Sequence, residues 1–291
     1  MTFLIYLISG LALGSVYAII ALGYTMVYGI AKMLNFAHGD IIMAGGYAAF
    51  FAFNKFGFSA PVSIILSIIF CTLLGVIIER LAYKPLRQAS SLSVLITAIG
   101  VSYFLQNASQ LMFGSDTKIF PAMLTEGSLK LGSLTISYLT LITIFTCIVI
   151  MVGLTLFINK TNTGKAMSAC AEDKDAARLM GINVDTTISI TFAIGSGLAA
   201  IAALLLCSTY PSLSPTLGSM PGIKAFTAAV FGGIGSIPGA LLGGLLLGII
   251  ENLTKAYLST QLSDAIVFGI LVVVLLVKPT GILGKQVQEK V

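Results

Sequence analysis

Two apolar runs, Ile136 to Ile158 and Thr186 to Cys207, flank a polar segment from Asn159 to Asp185. Each run can cross the roughly 30 Å hydrocarbon core of a bilayer as a helix of about 20 residues. The segment between them, NKTNTGKAMSACAEDKDAARLMGINVD, carries Lys160, Lys165, Glu172, Asp173, Lys174, Asp175, Arg178 and Asp185. A stretch so polar cannot lie in lipid, so it forms a loop on one side of a membrane. No other loop of the chain is as long and as densely charged.

Composition fixes the class. Only 9% of residues are charged and 57% are hydrophobic, with a mean hydropathy of +1.02. Soluble domains carry about 25% charged residues, so the chain reads as an integral membrane protein. Its apolar runs are continuous rather than alternating, which selects helices over a β-barrel. Thirty glycines suit membrane helices that pack backbone to backbone. The net charge of +5 comes with no nucleic-acid-binding motif. The N-terminal run has its first basic residue at Lys32 and reads as a retained span, not a signal peptide. Cys71, Cys147, Cys170 and Cys207 show neither metal-ligand spacing nor a disulfide framework.

The first span runs from about Phe3 into the twenties, followed by the polar knot Lys32, Asn35, His38 and Asp40 and a short apolar segment, Ile41 to Phe53. Further spans are expected from Pro61 to Glu79, from Leu92 to Phe113, over 136–158, 186–207 and 238–251, and over 264–277. Basic residues concentrate in 80–90, 159–185 and 278–291, and these segments are assigned to the cytoplasm. Lys55, Lys118, Lys130, Lys224 and Lys255 fall outside. The N-terminus is then outside and the C-terminus cytoplasmic. The chain must cross an even number of times between Asp185 and Lys278, so the Pro- and Gly-rich stretch 213–234 crosses or re-enters. Eight or nine transmembrane helices are expected, some short or broken, in one all-α polytopic domain over 1–291. Irregular backbone at membrane depth is tolerated only beside protein or a water-filled cavity, which makes 210–240 a pathway candidate.

Glycines 235, 239 and 243, like Gly244 and Gly248, recur every four residues, a pattern for close packing or for helices that slide. His38, the only histidine, is open to a turn role or to lining a path; alone it makes no metal site. Asp40 is placed to cap the following helix. No carboxylate falls in the middle of a confident span, as ion-coupled carriers usually require. The G-x-x-x-x-G-K-[ST] phosphate loop is also absent, so an ATPase would be a separate chain.

Asp175-Ala176-Ala177, followed after three residues by Gly181, resembles the E-A-A-x-x-x-G core of the coupling loop in ABC-importer permeases, with Asp for Glu and no I-x-L-P after the glycine. YTMVYGIAKMLNFAHGD, RLAYKPLR, GKAMSACAEDKDAARLMGIN, AFTAAVFGGIGSIPGALLGG and KPTGILG together resemble the LivH-type permeases of branched-chain amino acid importers, in one order over nearly the whole chain. The resemblance implies a non-catalytic subunit of the bacterial inner membrane that takes up leucine, isoleucine and valine. It implies a second related permease, two ATP-binding subunits that carry ATP and Mg, and a periplasmic or lipid-anchored binding protein, with no cofactor or metal on this chain. Related permeases carry urea or amides.

On that reading a helix across 164–180 serves ATPase coupling, with Gly164, Lys165, Ala166, Cys170, Glu172, Asp175, Ala176, Ala177 and Gly181 as its residues. Ala166, Cys170, Ala177 and Met180 would share one docking face. Asn35, His38, Gly45, Gly46, Phe226, Gly232, Gly233 and Ser236 are the pathway or gate candidates. The path is expected to be apolar, with a few dipoles and no buried charge. A stand-alone secondary carrier is the competing class, since broken helices recur in carriers.

Overall fold

The computed structural model describes residues 2–124, 127–131 and 134–284. Glu126 and the tail lysines Lys285 and Lys290 lie outside the described residues. The chain is almost entirely helical: α1 (Thr2–Ala31), α2 (His38–Asn54), α3 (Ala60–Ile78), α4 (Ser91–Phe113), α5 (Tyr138–Lys160), α6 (Asn162–Glu172), α7 (Lys174–Leu179), α8 (Val184–Thr209), α9 (Ser219–Gly232), α10 (Ile237–Tyr257) and α11 (Leu262–Val277). Among the described residues six helices are long and apolar enough to cross a membrane, namely α1, α3 with its extension to Leu86, α4, α5, α8 and α10; α11 is a shorter apolar helix.

The core is an antiparallel crossing of α1 and α10 made by small residues. Gly244 lies against Ala18 and Gly248 against Gly14, while Asn252 Nδ2 donates to the Tyr6 carbonyl at 2.5 Å. Numbers rise on one helix as they fall on the other, so the two run in opposite directions. A Cβ at Gly248 would sit 2.1 Å from the Gly14 nitrogen. Only a residue without a side chain permits that approach, and dispersion across the crossing stands in for the hydrophobic effect, which lipid does not supply.

The two polar breaks define half-length helices. Lys32 takes φ 58 just beyond α1, the chain turns back through 33–37, and α2 begins beside the middle of α1. His38 stacks edge-on against Tyr24, ring centroids 4.7 Å apart, and faces Gly23. That level is about 12 Å inside the Ala31 end of α1, at 1.5 Å per residue. The stretch after α8 likewise folds inward, and Gly218, just before α9, lies on Gly39. From this meeting point α2 runs toward Phe113, on which Tyr47 stacks and against which Phe51 packs at a tilt. α9 runs the other way, to the end where Gly235 meets Gly29.

At the end opposite Ala31, β1 (Lys118–Ile119) pairs antiparallel with β4 (Ser212–Leu213), and β2 (Ser128–Leu131) forms a hairpin with β3 (Leu134–Ser137). The first pairing ties the loop after α4 to the break before α9.

The glycine crossing makes a sharp prediction. Gly248→Val should destabilise the protein by about 1–3 kcal/mol, the usual range for an overpacked core. Gly153→Val, in α5 with open space around its Cβ position, should be neutral. Thermal unfolding of the two purified variants in detergent checks this, and equal melting temperatures would refute the packing account.

Candidate functional site

Three polar centres are built on this frame. The first lies where α2 and α9 begin. Asp40, in the first turn of α2, is 1% exposed and accepts from Gln106 Nε2 of α4 at 2.9 Å. The same Nε2 reaches Ser219 Oγ at 3.3 Å, so one amide bridges the starts of both half-helices. Gln106 is the side-chain partner that holds Asp40 at the start of α2. The expected capping role is not observed: Ala37 is the N-cap, without a side-chain bond. An aromatic group surrounds this centre, with Phe226 centroids 5.8 Å from Tyr24 and 5.4 Å from Phe36.

Of the pathway candidates, the structure brings Asn35, His38 and Phe226 into this region. Asn35 Oδ1 accepts from the buried Tyr83 hydroxyl at 2.8 Å. Gly45 and Gly46 instead pack toward the opposite end, against Cys71, Ala200 and Leu213. Gly232, Gly233 and Ser236 lie at the Ala31 end. The carbonyls of Phe231 and Gly232, released by the end of α9, accept from Ile282 N at 3.0 Å and Leu283 N at 2.9 Å. Gly233 takes φ 108 and packs on Gly284, so the chain's own C-terminal segment seals that break. Ser236 caps α10 by accepting from Gly239 N at 3.3 Å.

The second centre is the polar island. Thr161 Oγ1 accepts from Gly164 N at 3.0 Å, and a Cβ at Gly164 would lie 2.4 Å from Ile158 Cα, so glycine lets α6 fold back on α5. One helix was expected across 164–180; two are present. Asp173 leaves the helical region and its carboxylate accepts from Asp175 N at 2.8 Å and Ala176 N at 3.0 Å, capping a new helix, α7. Gly181 at φ 83 ends it, with Ile182 N donating back to Ala177 O at 3.0 Å.

This restart changes the expected face. Gly164, Met167, Cys170 and Ala177 are buried against the protein, and Ala166 is partly so. Of the expected docking face, Met180 stays at the surface, 83% exposed beside Leu179 at 89%, while Cys170 and Ala177 turn inward. Lys165, Glu172, Asp175, Ala176 and Gly181 share the exposed surface. The island is anchored by Lys174, whose Nζ donates to the Ala31 carbonyl at 2.6 Å and so closes the end of α1. Burial, with Arg87, Lys32 and Arg178 nearby, lowers the Lys174 pKa.

A clasp joins the island to the loop before α4. Glu79, with no exposed surface, opens a π-helical turn over Glu79–Tyr83. It accepts from Arg87 and from Ser189 Oγ, the latter at 2.7 Å. Arg87 also grips Asp185, and Lys84 Nζ lies 3.2 Å from the same carboxylate.

The third centre is a cluster of buried charges. Lys224 of α9 is 6% exposed and lies 2.8 Å from Glu251 and 2.6 Å from Asp264. Glu251, 1% exposed, also takes Lys255 at 2.5 Å and the Tyr17 hydroxyl at 2.8 Å. α9, α10 and α11 are thereby tied by opposite charges, next to a cavity of about 260 Å³ lined in part by Leu13, Leu206 and Leu217. A lysine inside an apolar helix is the signal that could have found it, since intramembrane charges need partners.

Among the described residues no group of three or more His, Cys, Asp or Glu is placed to hold a metal. The four cysteines are buried and free.

The comparisons with known proteins agree with one another. A family model described as the permease component of the branched-chain amino acid transport system matches residues 6–275. The chain is 47% identical to the high-affinity branched-chain amino acid transport system permease protein BraD of Pseudomonas aeruginosa, over 98% of this chain and 97% of that protein. It is 45% identical to LivH of Escherichia coli K12, over 99% and 98%. Among solved structures, PsaBC from Streptococcus pneumoniae in complex with Fab matches with a TM-score of 0.50 at 13% identity, over 94% of this chain and 91% of that one; this likeness concerns the fold alone.

The clasp yields a stability prediction. Arg87→Ala should cost roughly 3–5 kcal/mol, the penalty for leaving a buried charge such as Glu79 unpaired. Asp185→Asn, at a half-exposed partner, should cost no more than about 1 kcal/mol. Denaturant or thermal unfolding in detergent ranks the two, and the reverse order would contradict the assignment.

Proposed function

The chain belongs to the branched-chain amino acid transport permease family, and from that premise we propose that it is the membrane subunit of an ATP-driven importer for leucine, isoleucine and valine. The observation that carries this is its 45–47% identity to such permeases along nearly the full length of both partners. The chain carries no ATP chemistry of its own on this reading. Two ATP-binding subunits hydrolyse ATP with Mg, a binding protein delivers the amino acid, and a second related permease completes the membrane unit.

The Ala31 end is the cytoplasmic one. Lys84, Arg87, Lys160, Lys165, Lys174, Arg178 and Lys278 gather there, as basic residues do on the cytoplasmic side. The N-terminus is then outside and the C-terminus inside. With α2 and α9 each completing a crossing through its re-entrant loop, the chain passes the membrane nine times.

The island is the coupling element. Leu179, Met180 and Ala176 form its apolar centre, ringed by Lys165, Glu172, Asp175 and Arg178, an arrangement suited to a docking surface with a polar rim. Its inward face, Gly164, Cys170 and Ala177, passes motion to the chain. Lys174 links it to the end of α1, and the Arg87 clasp links it to α3 and α8. Substrate moves past the meeting point of α2 and α9, where Asn35, His38 and Phe226 stand. Gly45 and Gly46 permit the close packing that lets α2 shift, and Gly232, Gly233 and Ser236 form the hinge at the far end of α9. The second permease covers α4, which leaves Tyr103, Phe104 and Asn107 exposed.

The direct test is leucine uptake into proteoliposomes carrying the chain with its ATPase subunits, second permease and binding protein. Uptake should require ATP. Uptake by the chain alone without ATP would overturn the reading in favour of a carrier. Gly181→Val, which forces a side chain into a left-handed conformation costing about 1–2 kcal/mol, should leave membrane insertion intact and lower substrate-stimulated ATP hydrolysis roughly tenfold. Unchanged stimulation would remove the island from the coupling path.

A further inference from the structure

A crevice between α3 and α8 at the Ala31 end has the shape and chemistry of an amphiphile. Its open space is about 560 Å³, with Arg80, Lys84, Asp185 and Ser189 toward the Ala31 end and Val76, Ile190 and Ala193 further along the two helices. From Asp185 to Ala193 the wall follows α8 for about 12 Å, at 1.5 Å per residue. Polar groups therefore hold one end and apolar groups the other.

Charge at the polar end is unbalanced. Lys84 and Arg87 share Asp185, and Arg87 also takes Glu79. That leaves Arg80, which is exposed and makes no hydrogen bond or ion pair with any described residue. The apolar surface continues outward from it along α3, through Leu73 at 59%, Ile77 at 51% and Leu81 at 76% exposure. An uncompensated cation at the end of an apolar wall is what an anionic headgroup with acyl chains complements. A soluble anion would satisfy Arg80 and leave the apolar end empty. A protein docked on the island would cover the polar end without filling the crevice.

We propose that this crevice binds one anionic phospholipid, its phosphate on Arg80 and its chains against Val76, Ile190 and Ala193. The lipid sits beside the Glu79–Arg87–Asp185 clasp, so headgroup identity acts on the segment that ties the island to the helices.

The test uses the full-length chain, stripped of lipid in detergent and titrated with phosphatidylglycerol or with phosphatidylcholine of the same chain length, bound lipids being counted by native mass spectrometry. One phosphatidylglycerol should bind about fivefold tighter than phosphatidylcholine, the preference expected from one basic residue at a membrane surface. Arg80→Gln should abolish the preference, and Ile190→Trp, which fills the apolar end, should weaken both lipids. Lys160→Gln, a cation at the same end, should retain it. Equal binding of the two lipids, a preference that survives Arg80→Gln, or displacement by glycerol 1-phosphate at the concentration of the lipid itself would each overturn the proposal.

Discussion

Hydrocarbon offers no hydrogen bonds, and this one constraint governs where the chain can depart from helix. The departures within the helical body are each closed by the protein itself. At the first, Lys32 N returns to Tyr28 O at 2.9 Å and Lys174 closes on Ala31 O. At the second, Phe120 N reaches Pro211 O at 3.3 Å, in continuation of the short β1–β4 pairing. At the third, Ile282 and Leu283 supply the donors that α9 has released. Each break thus receives at least one closing bond from a distant part of the chain, and half-helices α2 and α9 can begin inside the protein.

Glycine then decides how close the helices come. The α1–α10 crossing and the contact of Gly39 with Gly218 and Gly222 bring backbone against backbone. Such surfaces have no interlocking side chains, so they hold by proximity and allow displacement along the helix. Charges sit at the two ends of this smooth core: the Lys224–Glu251–Asp264 cluster at one, the Glu79–Arg87–Asp185 clasp at the other.

Much of this was legible in the sequence. The apolar runs placed α3, α4, α5 and α8 to within two residues, because in a membrane chain length and hydropathy set the span. The island was legible for the same reason in reverse. What failed was anything set by tertiary partners. Asp40 reads as a cap until Gln106, 66 residues on, is seen to take it. Lys224 reads only as one of the outside lysines until Glu251 and Asp264 are brought to it. The island's phase was lost at one residue: Asp173 competes with the helix for backbone donors and restarts the turn, so Cys170 and Ala177 of the expected docking face turn inward while Met180 stays at the surface.

The proposed function rests most heavily on the exposed Leu179–Met180 surface being the one that meets the ATP-hydrolysing subunits in the cytoplasm. A single cysteine at Met180, in a chain whose native cysteines are buried, can be probed in intact cells with a membrane-impermeant thiol reagent, alongside one at Tyr257 of the opposite end. Tyr257→Cys should label from outside. Met180→Cys should label only after the membrane is opened, and should cross-link to an ATPase subunit in the assembled complex. Labelling of Met180→Cys from outside, or its failure to cross-link while uptake persists, would contradict the account.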